Sequence, residues 1–239
     1  MYRFNRVDNE TAAAHFQQAV QLDPNFARAY GALSFTSFQT AFLRYSTDRE
    51  RHVRDARRFA ERSLELDPID PFGNFNFGRT HWLVGDPEGG QAWLERAMGL
   101  SPSFAQGLYA HGWVEVMSGR GDTAITNVSI AITLSPLDPM LYAMELARSL
   151  AHMNLSQMEE AAHWADHGAR KPGAHFIIWA LAAAILETAG KRDAALYWLG
   201  KAKAQRADLT QEIFFSSLPF GGEIAHGRMR AALSALGIH

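Results

Sequence analysis

Apolar residues recur along this chain at steps of three and four, in short runs broken by glycine or proline. In the run Gln91 to Leu100, residues Trp93, Leu94, Ala97, Met98 and Leu100 share one helical face, and Ile125, Val128, Ile132 and Leu134 do the same further on. These runs end at short proline motifs: LDP at 22–24 and 66–68, LSP at 100–102 and 134–136. A proline lacks the amide hydrogen and has a fixed φ, so it is disfavoured inside a helix and suits the first turn of the next. Between the prolines lie Gly85-Asp86, Gly119-Arg120-Gly121 and Gly190-Lys191-Arg192-Asp193. Glycine there supplies a left-handed C-cap, and aspartate favours the start of the following helix. The pattern predicts a lone helix at 9–22, then pairs at 25–44 with 49–66, 70–84 with 87–100, 104–118 with 122–134, 138–153 with 157–170, and 174–189 with 192–206.

The pattern is periodic. Pro68, Pro102 and Pro136 are spaced by 34 residues; Pro24 to Pro68 is 44, the same period with a ten-residue insertion, and Pro136 to Pro172 is 36. Such a period is the mark of stacked two-helix units. Small residues stand where paired helices must approach closely: Gly78 and Gly112 on first helices, Ala97, Ala131 and Ala202 on second helices. Ala12, Phe16, Ala19 and Pro24, then Ala56, Ala60 and Pro68, complete a pattern that resembles the second helix of tetratricopeptide repeats (TPRs). The resemblance covers 9–207 as a half repeat at 9–24 and full repeats at 25–68, 69–102, 103–136, 137–172 and 173–207, with 208–239 as a C-terminal cap that includes a final helix at 222–236. It implies an all-α fold: a single TPR array over 1–239, a right-handed TPR superhelix or α-solenoid of antiparallel helix pairs, closed by a capping helix because its last repeat has no neighbour. Ser63 and Gly168 replace a usual alanine, Ala207 stands where a proline is expected, and Met153 to Ser156 is expected to be irregular.

The opening Tyr2-Arg3-Phe4-Asn5-Arg6 with Ala13, Phe16, Ala19 and Leu22 to Ala27, and the ending Leu218-Pro219-Phe220 with Arg228, Leu233 and Leu236-Gly237, are similar to a narrower bacterial group. There TPR arrays follow a class III adenylate cyclase domain or a winged-helix DNA-binding domain. That resemblance implies a regulatory interaction module in signalling or transcription. A stand-alone adaptor or assembly scaffold is the alternative. The partner implied is a protein or peptide segment, including another domain of the same polypeptide. Homodimerisation is compatible with the apolar surface that a half repeat leaves at Phe4, Phe16 and Val20.

Composition narrows the classes. Of 239 residues 47% are apolar and 20% charged, with net charge −2, so the basic excess of a nucleic-acid binder is missing. No cysteine is present, which excludes disulfides, thiolate metal sites and cysteine nucleophiles. The longest apolar run, Phe176 to Leu186, falls short of the about 18 residues a membrane helix needs, and the N-terminus lacks a secretory apolar stretch. A cytoplasmic protein without direct nucleic-acid or membrane partners is expected, and the sequons at Asn127 and Asn154 are then chance matches.

In the TPR family the inner surface is lined mainly by first helices. Helix phase then puts Phe72, Phe75, Asn76, Arg79, Trp82, Tyr109, Trp113 and Val116 on a candidate partner-binding face, flanked by Phe35 and Phe38 on one side and Met140 and Ala143 on the other. Aromatics and arginine are frequent interface anchors; the competing reading makes several of them core. Asn76 and Arg79 alone do not form the basic ring some family members use to capture a chain-terminal carboxylate. Other constellations read as structural. His163 and His167 have zinc-compatible spacing but neither the following glutamate nor a third ligand. His81 and His111, on adjacent first helices, are packing histidines or a pair. The arginines at 49, 51, 54, 57, 58 and 62 are interleaved with Asp48, Glu50, Asp55 and Glu61 as a self-paired face, or else dock an acidic partner. Gly89-Gly90 and Gly221-Gly222 are turns without a phosphate-loop lysine. No nucleophile–base or paired-carboxylate set stands out, so no catalytic residue, metal or cofactor is expected and the chain reads as a non-enzyme.

Overall fold

The proline motifs build a recurring helix-to-helix turn. In the computed structural model, which describes residues 4–239, a helix ends on a non-helical residue, Asp23, Asp67, Ser101 or Ser135, the first three of them extended. Its amide donates to the carbonyl four residues back (Ala19, Ser63, Ala97, Ala131), and its own carbonyl accepts from the residue three ahead: Phe26, Asp70, Phe104 or Asp138, at 3.0–3.4 Å. The proline sits inside this turn, not in the first turn of the next helix as expected; of the motif-adjacent prolines only Pro71 occupies that helical position. Its missing amide is harmless there because the turn draws no hydrogen bond from it. Tyr2 and Arg3 of the opening motif lie outside the described residues.

The described residues form thirteen α-helices and no strand. They are α1 (Arg6–Leu22), α2 (Ala27–Phe42), α3 (Arg49–Leu66), α4 (Pro71–Trp82), α5 (Gln91–Leu100), α6 (Ala105–Met117), α7 (Gly121–Leu134), α8 (Leu141–Asn154), α9 (Met158–Ala169), α10 (Phe176–Thr188), α11 (Arg192–Gln205), α12 (Gln211–Ser217) and α13 (Glu223–Ala235). The helix expected from 87 starts at Gln91, after a short 3-10 turn at Glu88–Gly90. The ten-residue insertion lengthens the first pair: α2 and α3 have 16 and 18 residues, against 12 and 10 in α4 and α5. Arg49 Nη2 ties the start of α3 to the carbonyl of Leu83, the C-cap of α4, at 2.8 Å.

The chain divides into two compact units, Met1–Ala110 and His111–His239, where the sequence marks only one continuous array; the division falls within the repeat at 103–136. In the first unit α1 packs on α2, α2 on α3, α4 on α5, and α4 also on α2 and α3. In the second, α7 packs on α8, α8 on α9 and α10 on α11, with α10 also against α8, α9 and α13.

One crossing recurs inside the pairs. Gly78 on α4 meets the carbonyl of Gly90 and the side chain of Leu94, and a Cβ on Gly90 would run into the Gly78 carbonyl. Gly112 on α6 faces Val128 and the Ala124 carbonyl on α7. Ser34 on α2 and Ser149 on α8 hold the equivalent place, and their hydroxyls donate to the carbonyls of Ala56 and Ala161 at 2.7 and 2.6 Å. Two repeats thus close the crossing by having no side chain, and two by a buried hydrogen bond. Gly90, read from sequence as part of a turn, is one half of this contact.

First and second helices differ in burial. On α3 only Val53, Ala56, Ala60 and Ser63 are buried, a single stripe, whereas α4 is buried continuously from Phe72 to Thr80 and α10 from Phe176 to Leu186 apart from Trp179. A helix flanked by neighbours on both sides has no face left for water. The cap at the end of the chain holds a second helix, α12, before the final one. Thr210 caps α12, accepting from the Ile213 amide. The amides of Gly221 and Gly222 both donate to the Met117 carbonyl at 3.1 Å, and Arg228 Nη1 donates to the Met153 carbonyl at 3.1 Å. The irregularity expected near Met153 to Ser156 is a single left-handed residue, Ser156 at φ 60°.

Candidate partner-binding site

All eight residues expected on an accessible face are buried, from 0% exposure at Phe75 and Val116 to 8% at Tyr109. On α4 the aromatic side chains pack against α2. Phe35 stacks with Phe72 and Phe75 at centroid distances of 6.2 and 6.5 Å, and Phe75 meets Phe104 edge-on at 5.4 Å. Trp82 lies edge-on to Phe38 and Phe42, at 6.3 and 6.1 Å. Arg79 places its guanidinium 3.8 Å from the Phe38 ring centre and 5.0 Å from those of Phe35 and Phe75, where cation–π attraction offsets part of its desolvation. Asn76 Nδ2 donates to the Phe72 carbonyl at 2.8 Å. Trp113 and Val116, on α6, are 2% and 0% exposed. The physical reason is the burial of first helices on every side: the strip read from helix phase as an open surface is packing in the free chain.

An opening in the first unit lies where α2, α4 and α6 begin. A cavity of about 310 Å³ is walled by Phe16, Phe26, Phe72 and Phe104, with the buried Ala29 and Ala32 behind them. Arg28 and Gln106 supply its polar lining. Its apolar lining follows from the repeat pattern: Phe26 and Phe104 follow their prolines by two residues and close the recurring turn, while Phe72 lies in the first turn of α4. Phe72 is thus the one residue of the expected set that borders this cavity; Phe16, Phe26, Arg28, Phe104 and Gln106 were not singled out for it. The signal available in sequence was the equivalence of Phe26 and Phe104 within the repeat frame.

Arg28 is half in water, 60% exposed, with Nη2 2.8 Å from Asp70 Oδ1 and its Cζ 5.3 Å from the Phe72 ring centre. Asp70 is 5% exposed and caps α4 by accepting from the amides of Phe72 and Gly73, both at 3.2 Å. The buried carboxylate therefore accepts two amides and stands at ion-pair distance from Arg28, and the exposed partner of the pair is the cation. By contrast α2 begins with neither a side-chain cap nor an acidic residue in its first turn.

A second concavity, of about 460 Å³, lies between α3 and α5 against Leu64, Phe77 and Trp93. Its charged lining, Glu61, Glu65 and Arg96, has mixed sign. Glu61 pairs with Arg57 at 2.8 Å, Glu65 with Arg62 at 3.0 Å, and Arg96 donates to the Pro68 carbonyl at 3.3 Å. Elsewhere in the arginine-rich stretch Arg51 and Arg58 share Asp55, and Arg49 lies 3.5 Å from Glu50.

The histidines have structural partners. His81 contacts Arg57 at 2.9 Å and Asp86 at 3.4 Å, and His111 contacts Asn127 at 2.9 Å. His163 stacks on His167, whose Nδ1 stands 2.8 Å from Glu145 Oε2, at ion-pair distance without hydrogen-bond alignment. Lys171 lies 3.4 Å from the other oxygen of this buried carboxylate. Burying Glu145 with no cation beside it would cost several kcal/mol, so its pairing with Lys171 and its contact with His167 fasten α8 to α9. Among the described residues no group of three or more histidine, aspartate or glutamate side chains is placed to hold a metal, and no helix is long and apolar enough to cross a membrane.

No protein-family model and no curated protein matches the chain. Solved structures do. A thermophilic TPR protein of Thermus thermophilus superposes with a TM-score of 0.59 at 17% identity, over 84% of this chain and 99% of its own. PilF of Pseudomonas aeruginosa gives a TM-score of 0.57 at 16% identity, over 95% and 90%. A monomeric mutant of IFIT1, solved with Gppp-AAAA, gives 0.69 at 13% identity over 95% of this chain and 55% of its own. At such identities the likeness is one of fold. Together with the helix pairs, the proline turns and the small-residue crossings, it makes this an all-α solenoid of the TPR type.

Proposed function

We propose that the chain is a non-catalytic protein-interaction module, which docks a segment of a protein at the cavity where α2, α4 and α6 begin. The observation that carries this reading is the cavity: four phenyl rings and one exposed guanidinium, in a fold built of repeats with no acid–base set at the site. Aromatics and arginine concentrate binding energy when a partner desolvates them. Selection of random peptides displayed on phage against the folded chain tests it. Enrichment of convergent sequences that bind as free peptides is the expected result. Failure of any selected peptide to bind in solution would overturn the reading.

The finer proposal is a regulatory array in a bacterial signalling or transcription protein, acting on an output domain. It is supported by the resemblance of the opening and closing segments to arrays that follow cyclase or winged-helix domains. An immunoblot of source cells with antibody against this region distinguishes it from a free adaptor. A band well above 26.6 kDa is expected, and a band at 26.6 kDa would sink it.

A further inference from the structure

We infer that the cavity at the starts of α2, α4 and α6 selects an internal peptide segment that inserts one bulky apolar side chain among Phe16, Phe26, Phe72 and Phe104 and sets an adjacent aspartate or glutamate against Arg28. This rests on the reading of the chain as a protein-interaction module and names the chemistry of its partner.

Size sets the first limit. At about 310 Å³ the cavity is at the small end of ligand clefts, which run from about 300 to 1,000 Å³, and so takes an anchor side chain with part of its neighbour and not a nucleotide cofactor. Lining sets the second. The walls are phenyl rings backed by alanine, with Arg28 and Gln106 as the polar lining, so the group that inserts between the rings is apolar. Charge complementarity sets the third. Among the described residues Arg28 is the one charged residue that lines the cavity, and it is 60% exposed. Its carboxylate partner, Asp70, is buried and already accepts two backbone amides, so the positive group is what a ligand meets. The Phe72 ring beneath it and the 2.8 Å ion-pair contact with Asp70 hold the guanidinium beside the opening. A guanidinium held this way keeps N–H groups for a second carboxylate, a geometry it matches bidentately. The start of α2, without an acidic residue in its first turn, adds the positive end of a helix dipole of the same sign. A chain-terminal carboxylate fits less well, because it brings its own terminal peptide groups against phenyl walls and would meet a single cation.

The test uses the full chain and fluorescein-labelled nonapeptides blocked at both ends, each with a central phenylalanine or leucine flanked by glutamate, lysine or glutamine. Fluorescence anisotropy at fixed salt reads affinity. Glutamate-flanked peptides are expected to bind about tenfold or more tightly than lysine-flanked ones, and Arg28→Glu to abolish or reverse that preference. Phe26→Ser is expected to weaken every apolar-centred peptide. Both positions are exposed; because Arg28→Glu sets a carboxylate against the buried Asp70, Arg28→Gln is measured beside it as the variant that loses the charge preference without that repulsion, and circular dichroism melts check that each variant folds. If peptides from the display selection bind but are indifferent to flanking charge and to both substitutions, the interaction reading stands and this inference falls. If an unblocked C-terminal carboxylate restores binding to glutamine-flanked peptides as well as an internal glutamate does, the chosen source of the carboxylate is wrong. If no peptide binds at all, both readings fall together.

Discussion

His175 shows what one residue can do to this fold. It stands at the N-cap of α10 in extended backbone, its ring edge-on to Tyr142 at 5.5 Å, and burial lowers its pKa from 6.5 to about 3. In the folded chain it is neutral, while in the unfolded chain it takes a proton below pH 6.5. Its contribution to stability is therefore complete above pH 6.5 and declines as pH falls toward 3, by on the order of 5 kcal/mol in all. Urea titrations from pH 7 to 4 are expected to show this decline, and His175→Asn to flatten it; equal slopes in the two proteins would contradict it. The helix crossings give a second residue-scale test. Gly90→Ala, which drives a methyl into the Gly78 carbonyl, is expected to cost about 1–3 kcal/mol. Ser149→Ala, which only removes a hydroxyl bonded to Ala161, should cost about 0.5–1.5 kcal/mol. Equal losses in urea would mean the glycine contact is looser than drawn. Gly78 and Gly112 were legible in sequence as points of close approach, whereas Ser34 and Ser149 were not, because a serine in a helix carries no sign of whether its hydroxyl bridges to a neighbour.

At the scale of elements, the helix pairs were legible because proline and glycine mark their ends and the apolar spacing marks their faces. Boundaries at α3 and α11 lie within a residue of the pattern. The seven-residue α12 was missed: it is too short for the periodicity of its face to register, and its start depends on one threonine cap. The final helix was read correctly in position, and the structure adds how it is held. Met229 and Leu233 of α13 are fully buried, and Arg228 reaches the Met153 carbonyl where α8 ends. Arg228→Ala is expected to lower stability by about 1 kcal/mol. Truncation before Gly221 should do much more, exposing apolar surface of α10 to a hydrophobic dye. A truncated chain that neither binds dye nor melts earlier would remove α13 from its role as the cap.

At the scale of the whole molecule, the repeat identity was legible and the site mostly was not. Period and composition speak to which residues face other helices; they do not say whether a face that neighbours could cover is in fact covered. Trp82 and Trp113 were read as anchors because aromatics on a first helix look surplus to packing, yet both are buried. The open apolar surface came instead from turn residues, Phe26 and Phe104, and from Arg28 beside them. The cavity is therefore where a partner is expected to dock. The most direct measurement is photo-crosslinking in source cells with benzoylphenylalanine substituted at Phe26, against a control substitution at Leu196, an exposed position on α11. A protein adduct formed from position 26, absent from position 196 and competed away by a glutamate-flanked peptide, is the expected result. Adducts from 196 alone, or equal adducts from both positions that no peptide competes, would contradict it.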